Sequence, residues 1–334
     1  MNILVTGGLG YIGSHAAVKF TGAGHKVIVV DNLSNSKIEV HKKIQLITNN
    51  KIVFIKGDVL NKSLINNIFK NYNIDVVAHF AGLKSISESI ENPIKYYLNN
   101  ISGTFSIFNQ MKKFGVKIFV FSSSATVYGY PKSLPIEETH ETSPINPYAR
   151  SKLFIEKFLK DMALSNNELR IISLRYFNPV GAHLSGLIGE NPNGMPNNLM
   201  PFLSRVAIGK YPFLKIYGCD YKTVDGTGVR DYIHVDDLAE GHLSAINFLL
   251  KNTGFHIINL GTGKGQSVLE LLNEYELVSG KKIPYKFYER RDGDVDSSFA
   301  SVKLARKKLK WKSIYSINDI CKSEWKWIKS EYEN

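Results

Sequence analysis

The sequence predicts an α/β protein built on a doubly wound parallel sheet, and three observations carry that expectation. A short apolar, β-branched run at Asn2–Thr6 leads into Gly7-Gly8-Leu9-Gly10-Tyr11-Ile12-Gly13, a helical pattern over Tyr11–Gly22, and a second apolar run at 26–30 that ends on Asp31. The same strand-then-helix unit recurs down the chain, and such alternation lays crossover helices on both faces of a parallel sheet. Finally, 334 residues at 43% hydrophobic suffice to bury a large core and to add a second, smaller domain.

The later elements follow in order. A helix over about 38–47 leads to a strand at 52–55 and Gly57-Asp58-Val59; a helix over 62–69 leads to a strand at 76–79 and Phe80-Ala81-Gly82. A helix over about 93–114 precedes a strand at 117–121, and a helix opened by Pro147 precedes a strand at 170–174. Pro147 suits the first helical position, where its missing N–H costs nothing. Segment 179–230 is rich in Gly, Pro and Asn, with an amphipathic stretch near 199–208, and reads as the start of a smaller domain over the sheet's carboxyl edge. Residues 233–250 and a strand at 255–260 return to the main sheet. From about 265 onward, with helices at 267–279 and 316–330, the chain belongs mostly to the smaller domain. The expected division is 1–178 plus about 231–262 for the larger part, and about 179–230 plus 263–334 for the smaller. Trp311, Trp325 and Trp327 read as packing residues.

Strand, glycine loop, helix, strand and terminal acid within 31 residues form the dinucleotide-binding unit of a Rossmann-type fold. The loop reads as Gly8-x-Gly10-x-x-Gly13 or as Gly7-x-x-Gly10-x-x-Gly13. Its glycines let backbone N–H groups approach a pyrophosphate at the helix N-terminus, where the dipole favours negative charge. Asp31 offers its carboxylate to the ribose hydroxyls of the adenosine half and would repel a 2′-phosphate, so NAD is expected rather than NADP. No basic residue follows at once, since Asn32-Leu33-Ser34 come next. Ligands of such sheets bind at the carboxyl ends of strands, where Asp58, Phe80, Ala81 and Ser122 to Ser124 fall.

A net charge of +12 raises the question of nucleic acid, but the lysines are scattered and cluster only briefly, as at Arg306-Lys307-Lys308. No nucleic-acid partner is expected; a basic surface suits an anionic small ligand. Cys219 and Cys321 make no disulfide framework, and the 9 histidines show no metal spacing, so no metal is expected. The chain runs straight from Met1 into a strand and holds no apolar run of about eighteen residues, so a signal peptide, a membrane span and a membrane partner are not expected and a cytoplasmic location is.

Tyr148-Ala149-Arg150-Ser151-Lys152 opens the helix after Pro147, and residues four apart share a helical face. A free tyrosine has a pKa of about 10, and a nearby ammonium favours the phenolate, pulling it toward the range of a proton-transfer catalyst. Reaching about 7 requires about 4 kcal/mol of differential stabilisation, at 1.36 per unit. Ser124, at the end of its strand, adds a hydroxyl that could complete a Ser/Tyr/Lys arrangement.

The Tyr148/Lys152 pair and the Gly7-x-x-Gly10-x-x-Gly13 register resemble the extended short-chain dehydrogenase/reductase superfamily. Further runs narrow the resemblance. They are His79-Phe80-Ala81-Gly82-Leu83-Lys84, the serine segment 122–129, Leu174-Arg175-Tyr176-Phe177-Asn178-Pro179-Val180-Gly181-Ala182, Pro196-Asn197-Asn198-Leu199-Met200-Pro201, 226–235 and Arg290-Arg291-Asp292-Gly293-Asp294. Together they are similar to the UDP-glucose (UDP-galactose) 4-epimerase family over residues 1 to about 327. The resemblance implies reversible C4 epimerisation of UDP-glucose and UDP-galactose through NAD-mediated oxidation to a 4-keto sugar and re-reduction. It implies catalytic roles for Ser124, Tyr148 and Lys152, with Tyr148 moving the C4 hydroxyl proton. The cofactor would meet Gly7, Gly10, Tyr11, Ile12, Gly13, Asp31, Asn32, Asp58, Val59, Phe80, Ala81, Lys84, Asn99, Ser122, Tyr148, Lys152 and Tyr176. The UDP-sugar would meet Ser124, Asn178, Asn198, Leu199, Tyr217, Arg230, Arg291, Asp294 and Ser298.

Family members confined to glucose and galactose carry a bulky tyrosine where this chain has Ser298, so the resemblance also implies room for a 2-acetamido group and turnover of UDP-GlcNAc and UDP-GalNAc. Ser301 replaces the family's usual aspartate nearby. The nearest rival, a sugar-nucleotide 4,6-dehydratase, needs an acid–base pair where this chain has Ala125 and Thr126. A decarboxylase needs a carboxylated sugar, and a non-enzymatic NAD-binding regulator has no use for Tyr148 and Lys152. A homodimer through the helices at about 93–114 and 147–164 is implied as well.

Overall fold

The computed structural model describes residues 1–291 and 293–332; Asp292, within the last of the runs above, lies outside them. Seven parallel strands make the central sheet. They are β1 (Asn2–Thr6), β2 (Lys26–Asp31), β3 (Val53–Lys56), β4 (Val76–His79), β5 (Ile118–Ser124), β6 (Arg170–Tyr176) and a seventh at Gly254–Leu260. The seventh strand lies at one edge, followed in space by β6, β5, β4, β1, β2 and β3. The order therefore reverses between β1 and β4, and the crevice outside that reversal is where a ligand enters such a sheet.

The helices are α1 (Tyr11–Gly22), α2 (Glu39–Thr48), α3 (Lys62–Asn71), α4 (Ile86–Glu91), α5 (Pro93–Phe114), α6 (Pro147–Ser165), α7 (Leu199–Ala207), α8 (Val235–Leu249), α9 (Val268–Ser279) and α10 (Ile317–Tyr332). β1 shows why the sheet is two-faced. Ile3 and Val5 enter one core with Ala16 and Phe20 of α1 and Leu238 and Ile246 of α8. Leu4 enters the other with Ile65 of α3, Ile107 of α5 and Ile155 and Leu159 of α6. Each such side chain stabilises the fold by about 1.5–3 kcal/mol when fully buried. α6 begins where the sequence places it, because Asn146 accepts the Ala149 N–H at 2.9 Å and Pro147 fills the first turn. α5 ends at Gly115, whose φ of 72° closes the helix.

A third core joins Val180, Met200, Leu203, Leu214, Ile216, Leu271, Tyr275 and Ile320 beside the sheet's carboxyl edge. It sits under three small sheets. Asn178–Val180 pairs with Tyr232–His234, and Leu214–Tyr217 pairs with Tyr285–Tyr288. Val229–Arg230 lies between Gln266–Ser267 and Ser297–Ser298.

The structure differs from the sequence expectations in places. β5 runs three residues past its expected end at 121, because Ser122, Ser123 and Ser124 pair in register with Leu174, Arg175 and Tyr176. α4 was not expected; Ser85 starts it by accepting the Glu88 N–H. The strand Tyr285–Tyr288 is exposed on every residue, which erases the alternation that reveals a strand in sequence. Within the last segment, Ala305, Leu309 and Trp311 pack into the core of the main sheet, and the Trp311 Nε1–H donates to the Asp237 carbonyl at 3.0 Å. Among the described residues no helix is long and apolar enough to cross a membrane, and no group of three or more His, Cys, Asp or Glu is placed to hold a metal ion.

Candidate active site

A cleft of about 590 Å³ opens over the reversal between β1 and β4. Its floor is the glycine loop. Gly7 adopts φ 66°, and a Cβ there would lie 2.8 Å from the Ala81 nitrogen. A Cβ on Gly13 would lie 2.2 Å from the Gly7 carbonyl oxygen. Helix α1 starts from Gly10 with no side-chain cap and no acid in its first turn. Its N-terminal N–H groups and dipole are thus open to an anion, with backbone close enough to cradle it. These features fit the diphosphate of a dinucleotide.

Asp31 ends β2 and braces that floor. Oδ2 accepts the Leu9 N–H at 3.0 Å, and Oδ1 accepts the Leu33 N–H at 2.9 Å and the Ser36 hydroxyl at 2.8 Å. Beside it, Asn32 Nδ2 donates to Asp58 Oδ2 at 2.8 Å. Val59, buried against Ile65 and Ile107, shapes the same end of the cleft. Lys37 and Lys43 also reach this rim, where Glu331 of α10, at 3.9 and 2.8 Å, offsets one of the two positive charges.

Farther along, Phe80 and Ala81 follow β4, and Asn99 faces the cleft from α5. The neighbouring Asn100, not singled out in the sequence, does the bracing: its Oδ1 accepts the Leu83 N–H at 2.8 Å, and its Nδ2 donates to Ser151 at 3.1 Å. Tyr11 donates its hydroxyl to the Gly181 carbonyl at 2.6 Å, so the start of α1 also ties the chain that leaves the sheet. Tyr176 donates to His242 Nε2. The ring's Nδ1–H is committed to the Leu238 carbonyl at 2.8 Å, and burial lowers the imidazole to about 4, so it is a neutral acceptor.

The chemistry gathers at the far end. Tyr148 and Lys152 face the cleft from one side of α6, with Ser122 and Ser124 beside them at the end of β5. The Lys152 ammonium donates to the Ser122 carbonyl at 2.8 Å and stands 5.9 Å from the centre of the Tyr148 ring. Burial lowers Lys152 to about 8, with Glu156 opposing that shift. Tyr148 departs from expectation. Burial raises the phenol above its ordinary range, and only the hydrogen bond to Ser124 works the other way. The physical reason is that the ammonium points at a carbonyl rather than the phenol oxygen, while the desolvation of a phenolate is large.

The nine expected sugar-nucleotide residues fall into two groups. Ser124, Asn178, Asn198 and Leu199 line the cleft. Tyr217, Arg230, Arg291, Asp294 and Ser298 do not; they assemble beyond it. The Arg291 guanidinium lies 3.9 Å over the Tyr217 ring, Arg230 Nη2 reaches Asp294 Oδ1 at 3.3 Å, and Ser298 pairs with Arg230 between strands. Sequence reasoning missed Glu190, whose Oε1 accepts both Lys84 Nζ at 2.6 Å and Asn198 Nδ2 at 2.8 Å. It also missed Asn191 and Glu331, and it read Trp327 only as packing. Trp327 is buried among Ala182 and Ile328 yet forms part of the cleft wall. No local pattern marks these residues, since their partners lie far away in sequence.

Comparison with known proteins completes the picture. The sequence model of the NAD dependent epimerase/dehydratase family matches residues 3–261. The chain is 49% identical over 330 residues to the UDP-glucose 4-epimerase of Bacillus subtilis, covering 99% of this chain and 97% of that one. It is 47% identical to the UDP-glucose 4-epimerase of Homo sapiens, over 98% and 96% of the two chains. Among solved structures, the UDP-glucose 4-epimerase of Stenotrophomonas maltophila with bound NAD and formylated UDP-arabinopyranose superimposes with a TM-score of 0.98 at 46% identity, covering 100% and 99% of the chains. The enzyme from Bifidobacterium longum in complex with NAD+ and UDP gives 0.96 at 45%, with the same coverage. Likeness this even, end to end in sequence and in space, places the chain in the NAD dependent epimerase/dehydratase family, in its UDP-glucose 4-epimerase branch.

Proposed function

We propose that the chain inverts C4 of UDP-glucose and UDP-galactose reversibly, using NAD. The observation that carries this reading is the pairing of Tyr148 and Lys152 on one face of α6, across a single cleft from an uncapped glycine loop. NAD, when bound, supplies the hydride acceptor and donor. Tyr148 takes the C4 hydroxyl proton and returns it, with the Ser124 hydroxyl bridging to the sugar. A phenol raised by burial is lowered as cationic charge gathers beside it, and Lys152 is the α6 side chain placed to supply that charge. Asn178, Asn198 and Leu199, with Tyr217, Arg230, Arg291 and Asp294, anchor the nucleotide diphosphate, since arginine forks match phosphate oxygens. Such anchoring leaves the sugar free to present either face. The division of the chain follows the same lines: 1–178 plus about 231–262 holds the cofactor, and about 179–230 plus 263–334 holds most of the UDP-sugar contacts.

Ser298 supports a wider range. Half-buried beside Arg230, it is small enough to admit a 2-acetamido group, so UDP-GlcNAc and UDP-GalNAc are substrates too. Purified protein offered UDP-galactose and UDP-GalNAc separately, with the products resolved by chromatography, is expected to convert both. Ser298→Tyr should lose at least about tenfold on the acetylated sugar alone, as expected for one steric clash in a pocket. Unchanged UDP-GalNAc turnover in that variant would remove the steric argument, and silence of the wild type on both sugars would remove the epimerase reading.

A homodimer is supported by α5 and α6, which expose Ile94, Leu98 and Phe154 next to a Phe105–Phe158 contact of 4.5 Å. Sedimentation should give twice the chain mass, and Leu98→Glu should return the monomer mass. A cytoplasmic location fits the two free cysteines, one exposed and one buried.

A further inference from the structure

We propose that the buried Glu156–Arg175 ion pair is the positioning device of the catalytic centre. It fixes the end of β5 that presents Ser122 and Ser124, and its acid, Glu156, stands one helical turn from Lys152 and favours the ammonium there. The proposal rests on the catalytic roles given above to Ser124, Tyr148 and Lys152.

The pair lies directly behind those groups. Glu156 is one helical turn beyond Lys152 on α6, and Arg175 is on β6, in register with Ser123. Both are almost wholly enclosed, at 2% exposure each. Glu156 Oε1 accepts the Ser123 hydroxyl at 2.6 Å, the Ser173 hydroxyl at 2.9 Å and Arg175 Nε at 3.0 Å, while Oε2 accepts Arg175 Nη2 at 2.6 Å. Side chains alternate along a strand. Ser123 therefore turns its hydroxyl toward α6 and is gripped there, between Ser122 and Ser124 at the edge of the cleft. The Ser122 carbonyl holds the Lys152 ammonium at 2.8 Å. On the far side of Ser124, the Arg175 guanidinium lies 4.7 Å over the Tyr128 ring. Tyr128 closes the short turn that Ser124 caps through the Thr126 N–H. One ion pair thus grips the chain immediately before and soon after Ser124.

Stability alone is a poor explanation for such a pair, because an apolar pair of similar volume serves a core as well or better. Arg175 Nη1 also has no hydrogen-bond partner among the described residues. The electrostatics give the pair a task. The ionisable groups around Lys152 and the ion pair behind it are Tyr148 and Glu156 on α6, His79 on β4, Arg175 and Tyr176 on β6, and Tyr128 and Glu138 after β5. His79 is lowered to about 3 and is neutral, and burial raises both Glu138 and the three tyrosines. Glu156 is the acid that opposes the loss of charge on Lys152.

The test uses the full chain as wild type, Glu156→Gln, the double variant Glu156→Gln/Arg175→Met, and Ser123→Ala. Lys152 acetylation by acetic anhydride is followed against pH by mass spectrometry, beside kcat and KM for UDP-galactose and the thermal midpoint. In Glu156→Gln, which leaves the Arg175 charge uncompensated, the half-point of labelling should move down by about one pH unit, and the alkaline limb of kcat should follow it; the double variant, which removes both charges, should shift less. The single variant strands a buried arginine and should melt early; the double variant should recover the midpoint yet keep a lowered kcat, because Ser123 has lost its acceptor. Ser123→Ala should lower kcat, with KM and the labelling profile unchanged. A double variant with wild-type kcat would make the pair merely structural, wild-type labelling in Glu156→Gln would remove the charge role of Glu156, and wild-type kcat in Ser123→Ala would remove the grip on β5. Failure of the epimerase reading would show separately, as a wild type silent on UDP-galactose, while the labelling profile would still decide the role of Glu156.

Discussion

Tyr148→Phe should cut kcat by about 10²–10⁴-fold, the usual worth of a positioned acid–base group, with KM and bound NAD nearly unchanged. That loss equals about 2.7–5.4 kcal/mol of transition-state stabilisation, at 1.36 per tenfold. Only one oxygen is removed, and its place is the far end of the cleft beside Ser124, outside both sheet cores. α6 keeps its Asn146 cap and its buried face of Ile155 and Leu159, so the fold should not respond. Initial rates with UDP-galactose, and the NAD released on denaturation, measure the two sides of the claim. A variant within tenfold of wild type would mean that another group moves the C4 proton. The pH profile of the wild type carries a sign as well. Lys152, lowered to about 8, is charged below that value and loses its charge above it, so the rate should fall on the alkaline side.

The second large effect is expected from Gly13→Ala, one methyl group in the glycine loop. The added Cβ would lie 2.2 Å from the Gly7 oxygen and 2.9 Å from the Gly8 Cα. Both obstacles are backbone, so neither can swing aside, and the loop must part from the start of α1. Overpacking of this sort costs about 1–3 kcal/mol. The larger consequence is functional, because the N–H groups at the start of α1 would no longer converge on a phosphate. Purified Gly13→Ala should carry no NAD and show a lowered thermal midpoint. Gly22→Ala is the control on the same helix: its Cβ would meet nothing within 4 Å, so NAD content and midpoint should hold or rise slightly. Full NAD content in Gly13→Ala would show that the dinucleotide does not use this loop.

What could be read from the chain follows from how far each interaction reaches along it. The glycine loop, Asp31 and the first crossover are contiguous, and their spacing states their geometry. Tyr148 and Lys152 are joined by one turn of helix, which is equally local. Strand boundaries were harder. The strand expected to stop at 121 runs on through Ser124 because β6 pairs with all three serines, and an exposed strand such as Tyr285–Tyr288 has no burial pattern to betray it. Glu190 shows the limit more sharply. An acid in a Gly-, Pro- and Asn-rich segment looks solvated, yet the fold encloses it between Lys84 and Asn198. The sign of the Tyr148 shift was illegible for a related reason: sequence shows the neighbouring ammonium but not the burial that outweighs it. Arg230, Arg291 and Asp294 were reached only through resemblance, and their separate cluster beyond the cleft is a matter of tertiary placement.

The last helix has a consequence for the order in which the molecule can be made. Trp327 packs on Gly189, where an added Cβ would lie 2.4 Å from the indole, and Glu331 reaches Lys43 of α2 and Asn191. Both α10 residues form part of the cleft wall. A chain emerges from the ribosome N-terminus first, so the glycine loop and its strands can fold while α10 is still unmade. The wall that closes the adenosine end is therefore made after the floor it covers, and the complete cleft can exist only once α10 has emerged and packed on Gly189.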